Sequence, residues 1–271
     1  MRSAVTISLV AEARGGPFVF WEDLAAGCAL AAELGFDAVE IYPAEAAVLE
    51  ATETSHLLQS HGLKCAAVGT GAGWVKHTLR LTDPDRAVRQ RAIEFASSII
   101  GAAGILGAPT IIGSMQGRQE GNVPREQALD WLGEALSTLA EQAAEYEVSL
   151  LYEPLNRYET NLFNRQAHAA EFLRTLRSPN LKLLCDLFHM NIEEPSIPDA
   201  LRAVGNLVGH VHFADSNRHA IGWGHTNVKP IIDALRGISF QGYLSAEVLP
   251  LPDSIAAARQ TMESFRRWTT V

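Results

Sequence analysis

Eight short β-type runs alternate with helical stretches along this 271-residue chain, and that rhythm limits its fold more than any other feature. The runs are Val5–Val10, Ala38–Tyr42, Lys64–Val68, Thr110–Gly113, Ser149–Tyr152, Leu181–Cys185, Val208–His212 and Tyr243–Glu247. Turn chemistry brackets them: Gly35, Gly62, Pro179-Asn180 and Gly242 each precede a run. Gly35 and Gly62 also follow Ala- or Leu-rich helical stretches, where a left-handed cap is needed. Between the fourth and fifth runs, Leu129, Leu132, Leu136, Leu139 and Ala143 recur at spacings of three and four. That pattern is one face of a helix laid on a sheet, with Pro124 near its start. Eight such alternations, with no linker, repeat or low-complexity segment, predict one α/β domain over residues 1–271. The expected fold is a closed (β/α)8 TIM barrel. A doubly wound open sheet is the alternative, but no GxGxxG follows the first run.

Four ligand-type residues, Glu153, Asp186, His212 and Glu247, each stand where an apolar run ends. Their intervals of 33, 26 and 35 residues are each about one strand–helix unit. If the units close into a barrel, the four side chains converge at one mouth. Three carboxylates and an imidazole at one point make a divalent-metal site.

Composition narrows the partners. A net charge of −9 disfavours a nucleic-acid backbone, which would want a basic stripe. Cys28, Cys65 and Cys185 are odd in number and widely separated, and they read as reduced core thiols. Met1–Val10 lacks a long apolar stretch and a cleavage site, and no run approaches the roughly 18 apolar residues needed to span a bilayer. The expectation is a cytoplasmic, soluble homo-oligomer, a dimer or tetramer, with no membrane and no nucleic-acid partner.

The blocks around the ligands read Glu-Pro-Leu-Asn-Arg-Tyr-Glu-Thr from Glu153, Asp-Leu-Phe-His-Met-Asn-Ile-Glu-Glu from Asp186, and His-Val-His-Phe-Ala-Asp-Ser-Asn-Arg from His210. Together they resemble the D-tagatose 3-epimerase and D-psicose 3-epimerase family within the xylose-isomerase-like barrels. The likeness is closest across Leu151–Glu247. It implies that Glu153, Asp186, His212 and Glu247 bind one divalent metal. Manganese is the expected ion, with cobalt, magnesium or zinc also compatible. It further implies that Glu153 and Glu247 are the two acid–base carboxylates. Glu159, His189 and Arg218 match residues that hold the hydroxyls at the C1–C2 end of a ketose.

The chemistry also stands without the family. Inverting a carbon beside a ketone removes a proton from one face and returns one to the other, which two carboxylates can do. A metal on the carbonyl and adjacent oxygen would stabilise the enediolate. The bland readings are strand-end carboxylates capping helices, a Glu159–Arg218 surface pair and a loop histidine at His189. His210 shares the strand face of His212 and is expected to be buried and hydrogen-bonded one layer deeper.

The early loops depart from the best-matched blocks. Gly69–His77 is glycine-rich but lacks a phosphate-loop ending, and it reads as a flexible rim in which Trp74 walls the sugar. Arg118, in Gly113-Ser-Met-Gln-Gly-Arg118, binds an anionic group at the far end of a substrate or simply solvates its loop. Other functions weighed are an aldose–ketose or hydroxypyruvate-type isomerase, a keto-sugar dehydratase or lyase, and a non-catalytic sugar sensor. An apurinic endonuclease would want more His and Glu ligands and a basic face.

Overall fold

The computed structural model describes residues 1–49 and 51–270. Its strands are β1 (Arg2–Ser8), β2 (Phe20–Trp21), β3 (Ala38–Tyr42), β4 (Lys64–Gly69), β5 (Thr110–Ile112), β6 (Leu150–Tyr152), β7 (Leu181–Asp186), β8 (Val208–His212) and β9 (Tyr243–Ala246). The helices are α1 (Leu24–Leu34), α2 (Ala51–Ser60), α3 (Ala72–Val75), α4 (Arg86–Ile105), α5 (Arg125–Glu145), α6 (Gln166–Leu176), α7 (Leu187–Glu193), α8 (Ile197–Val204), α9 (Val228–Gly237) and α10 (Ser254–Thr269). From β3 to β9 each strand pairs in parallel with the next, and β1 pairs with both β3 and β9. The sheet therefore closes on itself. The eight long strands form the barrel that the alternation predicts, and the open doubly wound sheet is excluded.

Two differences concern the first strand. It runs over Arg2–Ser8 rather than Val5–Val10, because the pairing to β9 starts at Arg2 with Tyr243. Where that pairing ends at Val5, the two-residue strand β2 takes over, matching Phe20 to Ile7 and Trp21 to Ser8. A strand this short leaves no periodicity for the sequence to display.

Local chemistry sets the helix ends. Asp23 caps α1 by accepting from the Ala26 N–H at 2.9 Å. Gly35 stops that helix at φ 85°, a left-handed turn that other residues enter at a cost. In α5 the face predicted from leucine spacing is the buried one: Leu132, Leu136, Leu139 and Ala143 are fully covered. Each buried leucine contributes about 1.5–3 kcal/mol, so packing rather than helix propensity holds α5 on the sheet. Inside the barrel, Tyr42, Ala67, Ile111, Leu151 and Leu184 form a separate small apolar plug. Cys28, Cys65 and Cys185 are free and buried, as expected. Among the described residues no helix is long and apolar enough to cross a membrane.

Candidate metal centre and sugar pocket

Side chains alternate along a strand, so each residue two positions past a plug residue faces the barrel axis again. That places Glu153 beyond Leu151, Asp186 beyond Leu184, His212 beyond His210 and Glu247 beyond Ser245, all at the carboxyl ends of the strands. One ligand atom from each of Glu153, Asp186, His212 and Glu247 lies within 4.8 Å of the others, and all four residues are buried. His212 Nδ1 is the hub. It stands 3.4 Å from Glu153 Oε1, 3.4 Å from Asp186 Oδ2 and 3.5 Å from Glu247 Oε2. The convergence read from four run endings is present.

Glu40, which the sequence did not single out, fixes the orientation of this hub. It is fully buried on β3 and accepts from His212 Nε2 at 3.0 Å, His210 Nε2 at 2.6 Å and the Tyr42 hydroxyl at 2.6 Å. Burial alone would raise the Glu40 pKa, but His212 and His210 outweigh it and hold the carboxyl well below its ordinary range. The surrounding carboxylates, Glu247 and Glu40 foremost, outweigh burial and raise the His212 pKa well above its ordinary value. With a cation bound, an ionised Glu40 would keep the ring proton on Nε2 and free Nδ1 as a ligand. Glu40, His210 and His212 also lie close enough to ligate an ion. Both Glu40 oxygens already accept hydrogen bonds, however, so these three form a supporting network. His210 takes the buried, bonded place expected of it. A charge inside the apolar run Ala-Val-Glu-Ile-Tyr was the available signal for Glu40.

Three carboxylates this close need compensation. Two like charges 4 Å apart repel by about 4 kcal/mol even at an effective dielectric of 20. Arg218 supplies part of it: its Nη2 lies 2.5 Å from Glu247 Oε2 and 3.6 Å from Asp186 Oδ2. Burial raises the Glu153 pKa, with the Glu247 charge adding to it, against the opposing pull of His212 and His189. Glu153 Oε1 is buried with no hydrogen-bond donor directed at it. An orphaned carboxylate oxygen in a set of three carboxylates and one imidazole fits a divalent cation. Glycine at 113 makes room for this carboxylate, since a Cβ there would collide with Glu153 Oε2.

His189 on α7 is buried beside the cluster, its Nε2 3.6 Å from Asp186 Oδ2 and 3.9 Å from Glu153 Oε1. Asn156 Nδ2 donates to His189 Nδ1 at 2.7 Å, which leaves the ring proton on Nε2, facing the cluster. Asn156 Nδ2 also donates to Glu159 Oε1 at 2.8 Å, holding that half-exposed carboxylate at the rim. Glu159 and Arg218 are 3.9 Å apart, so Arg218 is committed mainly to the buried carboxylates rather than to a surface pair. A cavity of about 340 Å³ opens above the cluster, with Glu153, Glu159, His189, Arg218, Glu247 and Trp74 in its wall.

Gly69–His77 lines the cavity and carries the short helix α3, with Thr70 buried and donating to the Ile111 carbonyl at 2.7 Å. Gly73 packs so closely on the Met115 sulfur that no larger residue fits there. Trp74 remains partly exposed and lines the cavity. Arg118 does not line the main cavity; it lines an adjoining one.

Asp215 is the second residue the sequence did not reveal. Its Oδ1 accepts from the Ser216 and Thr226 N–H groups at 2.7 and 3.0 Å, and its Oδ2 from those of Gly222 and Gly224 at 2.7 and 2.9 Å. These bonds tie down the loop that presents Arg218, itself held at φ 61°. Burial works to raise the Asp215 pKa, but the Thr226, Ser216 and Gly222 donors outweigh it and hold it below its ordinary value. A depressed folded pKa makes the contribution complete above the unfolded aspartate value and lost only as pH falls through the folded one. Asp215→Ala is expected to cost about 2–4 kcal/mol, because charge-assisted bonds contribute about 1.5–3 kcal/mol each and the loop partly relaxes to water. Denaturant melts at pH 7 check this, and a loss under about 0.5 kcal/mol, the scale of a plain surface change, would show that the loop holds without Asp215.

Comparison with known proteins places this geometry in a lineage. The model of the xylose isomerase-like TIM barrel family matches residues 28–268. The chain belongs to that family. A D-psicose 3-epimerase of Agrobacterium fabrum is 31% identical over 220 residues, covering 80% of this chain and 76% of the relative. A 3-dehydro-D-guloside 4-epimerase of Escherichia coli is 29% identical over 220 residues, covering 79% of this chain and 83% of that one. Among solved structures, D-allulose 3-epimerase from Methylomonas sp. superposes with a TM-score of 0.81 at 24% identity, covering 98% of both chains. The resemblance to the D-tagatose and D-psicose 3-epimerases read from the sequence therefore stands.

Proposed function

We propose that this protein is a metal-dependent epimerase that inverts C3 of a ketose, or of a related sugar acid or phosphate. The observation that carries the reading is the convergence of Glu153, Asp186, His212 and Glu247 beneath a sugar-sized cavity, with two of the carboxylates in its wall. Relatives named as sugar epimerases support it. Glu153, Asp186, His212 and Glu247 would hold one divalent cation, Mn²⁺ before Co²⁺, Mg²⁺ or Zn²⁺. When bound, it supplies positive charge to the substrate carbonyl and adjacent hydroxyl oxygens as the enediolate develops.

The chain's own groups do the rest. One of Glu153 and Glu247 takes the C3 proton, and the other returns a proton to the opposite face. His189 Nε2–H and the Arg218 guanidinium, whose Nε is buried without a partner, donate to substrate oxygens near Glu159. The cytoplasm, a dimer or tetramer and one domain over residues 1–271 complete the proposal. Solvent deuterium tests it on the Mn²⁺-loaded protein with a panel of ketoses, sugar acids and sugar phosphates. Deuterium entering C3 with inversion is the expected result. Exchange confined to C1 or C2 would mark an aldose–ketose isomerase, and no exchange across the panel would leave a sensor.

A further inference from the structure

A second chamber adjoins the first. It encloses about 300 Å³ and shares Trp74, Ser114, Leu155 and Glu159 with the main cavity, so the two form one cleft with Trp74 and Glu159 at the junction. A hexose displaces roughly 180 Å³, six times the ~30 Å³ share of a water molecule. The main cavity alone accommodates a monosaccharide, which leaves the volume of the second for a further group.

The outer wall is built rather than loose. Gly117 sits at φ 77°, and a Cβ there would meet Thr82 Oγ1 at 2.6 Å and Arg80 Cβ at 3.0 Å. Its carbonyl accepts from Thr160 Oγ1 at 2.8 Å, and Thr82 Oγ1 donates to the neighbouring Gln116 carbonyl at 2.9 Å. Two aromatic rings, Trp74 at 38% and Tyr158 at 76% exposure, are available there for contact. Between them stand planar polar groups. Arg80 is bound to Asp83 and Glu120, whereas the Arg118 guanidinium has no side-chain partner among the described residues.

Apolar ring faces next to planar donors and acceptors suit a polyhydroxylated ring, whose C–H face lies on an aromatic while its hydroxyls bond at the edge. An anion would meet Arg118 but also the Glu159 carboxylate, while Arg80 is already held by Asp83 and Glu120. We propose that the substrate of this enzyme is an extended sugar, a ketose carrying a second, uncharged glycosyl ring, and that this ring occupies the second chamber. The inference rests on the epimerase reading for what the main cavity holds.

The test uses the full-length Mn²⁺-loaded protein with D-fructose, its 1-O- and 6-O-α-glucosyl derivatives (trehalulose and isomaltulose), and D-fructose 1- and 6-phosphates. Two readouts are taken: kcat/KM for C3 deuterium exchange, and Kd by calorimetry. One of the two glucosyl ketoses should exceed D-fructose by at least about tenfold in both, since tenfold requires about 1.4 kcal/mol and a few hydrogen bonds provide that. Tyr158 and Arg118 are exposed, so their joint replacement by alanine tests contact rather than folding. In that double variant the glucosyl-to-fructose ratio should fall to within about threefold of one.

A protein that turns over D-fructose and gains nothing from either glucosyl ring overturns the proposal and leaves the epimerase reading intact. A tenfold advantage for a phosphate instead, or a glucosyl advantage that survives the double variant, also overturns it. Tighter glucosyl-ketose binding without C3 exchange on any probe supports the chamber and removes the epimerase.

Discussion

Glu153→Gln and Glu247→Gln, made separately, are each expected to lower C3 inversion by at least roughly 10²-fold, the usual scale for a positioned acid or base. Glu153 follows β6 and Glu247 follows β9, three strands further around the barrel. Both are almost completely buried and line the same cavity, so they meet a bound sugar from different sides. A base must come within about 3 Å of the proton it takes, and one carboxylate cannot serve both faces unless the sugar turns over in the site. Glutamine keeps the shape and the acceptor oxygen but removes the charge and the titratable proton. Because both residues also belong to the ligand cluster, metal content must be measured in the same samples. A metal-loaded variant is expected to retain deuterium exchange at C3 of one epimer while failing to invert it. Wild-type inversion by either fully metallated variant would end the two-carboxylate assignment.

Much of this site was legible because barrel closure converts one-dimensional position into proximity. A residue that ends a strand is delivered to the same mouth whatever its neighbours are. Glu153, Asp186, His212 and Glu247 could therefore be grouped before any contact was known. Glu40 escaped because its role depends on pairing with His210 and His212, 170 and 172 residues away, and nothing local marks an inward glutamate as an acceptor. Asp215 escaped for a different reason. Its partners are backbone N–H groups of a loop, and those depend on how the chain folds between Ser216 and Thr226. Arg118 stands out as a lone loop cation, but its chamber is made by the segments after β4, β5 and β6, whose packing no periodicity encodes. In the glycine-rich stretch from Gly69, two of the glycines, Gly69 and Gly73, serve close packing against Tyr42 and Met115, contacts that composition alone does not display.

Asp186 carries the last and most discriminating expectation, because its two oxygens have separate tasks. Oδ1 accepts from the Phe188 N–H at 2.7 Å and caps α7, while Oδ2 faces His212 at 3.4 Å and His189 and Arg218 at 3.6 Å. Burial would raise its pKa, but His189, His212 and Arg218 outweigh it and hold the carboxyl well below the usual range. It is therefore ionised at neutral pH. Asp186→Ala removes both tasks, with loss of the cap costing about 1 kcal/mol. Asp186→Asn keeps the capping oxygen and removes only the charge. Both variants are expected to weaken Mn²⁺ binding by more than roughly 100-fold, beyond the range for residues that merely support a ligand. In the parent protein, Mn²⁺ at a hundred times its Kd should add about 2.7 kcal/mol of stability. For a chain of this size that raises Tm by roughly 5–10 °C. The rise should vanish in Asp186→Asn when read against that variant's own metal-free Tm, which falls below the parent's because His212, His189 and Arg218 lose the charge they face. A full Mn²⁺-induced rise in Asp186→Asn would remove Asp186 from the ligand set, and the registry of β7 against β8 would then have no bearing on the metal.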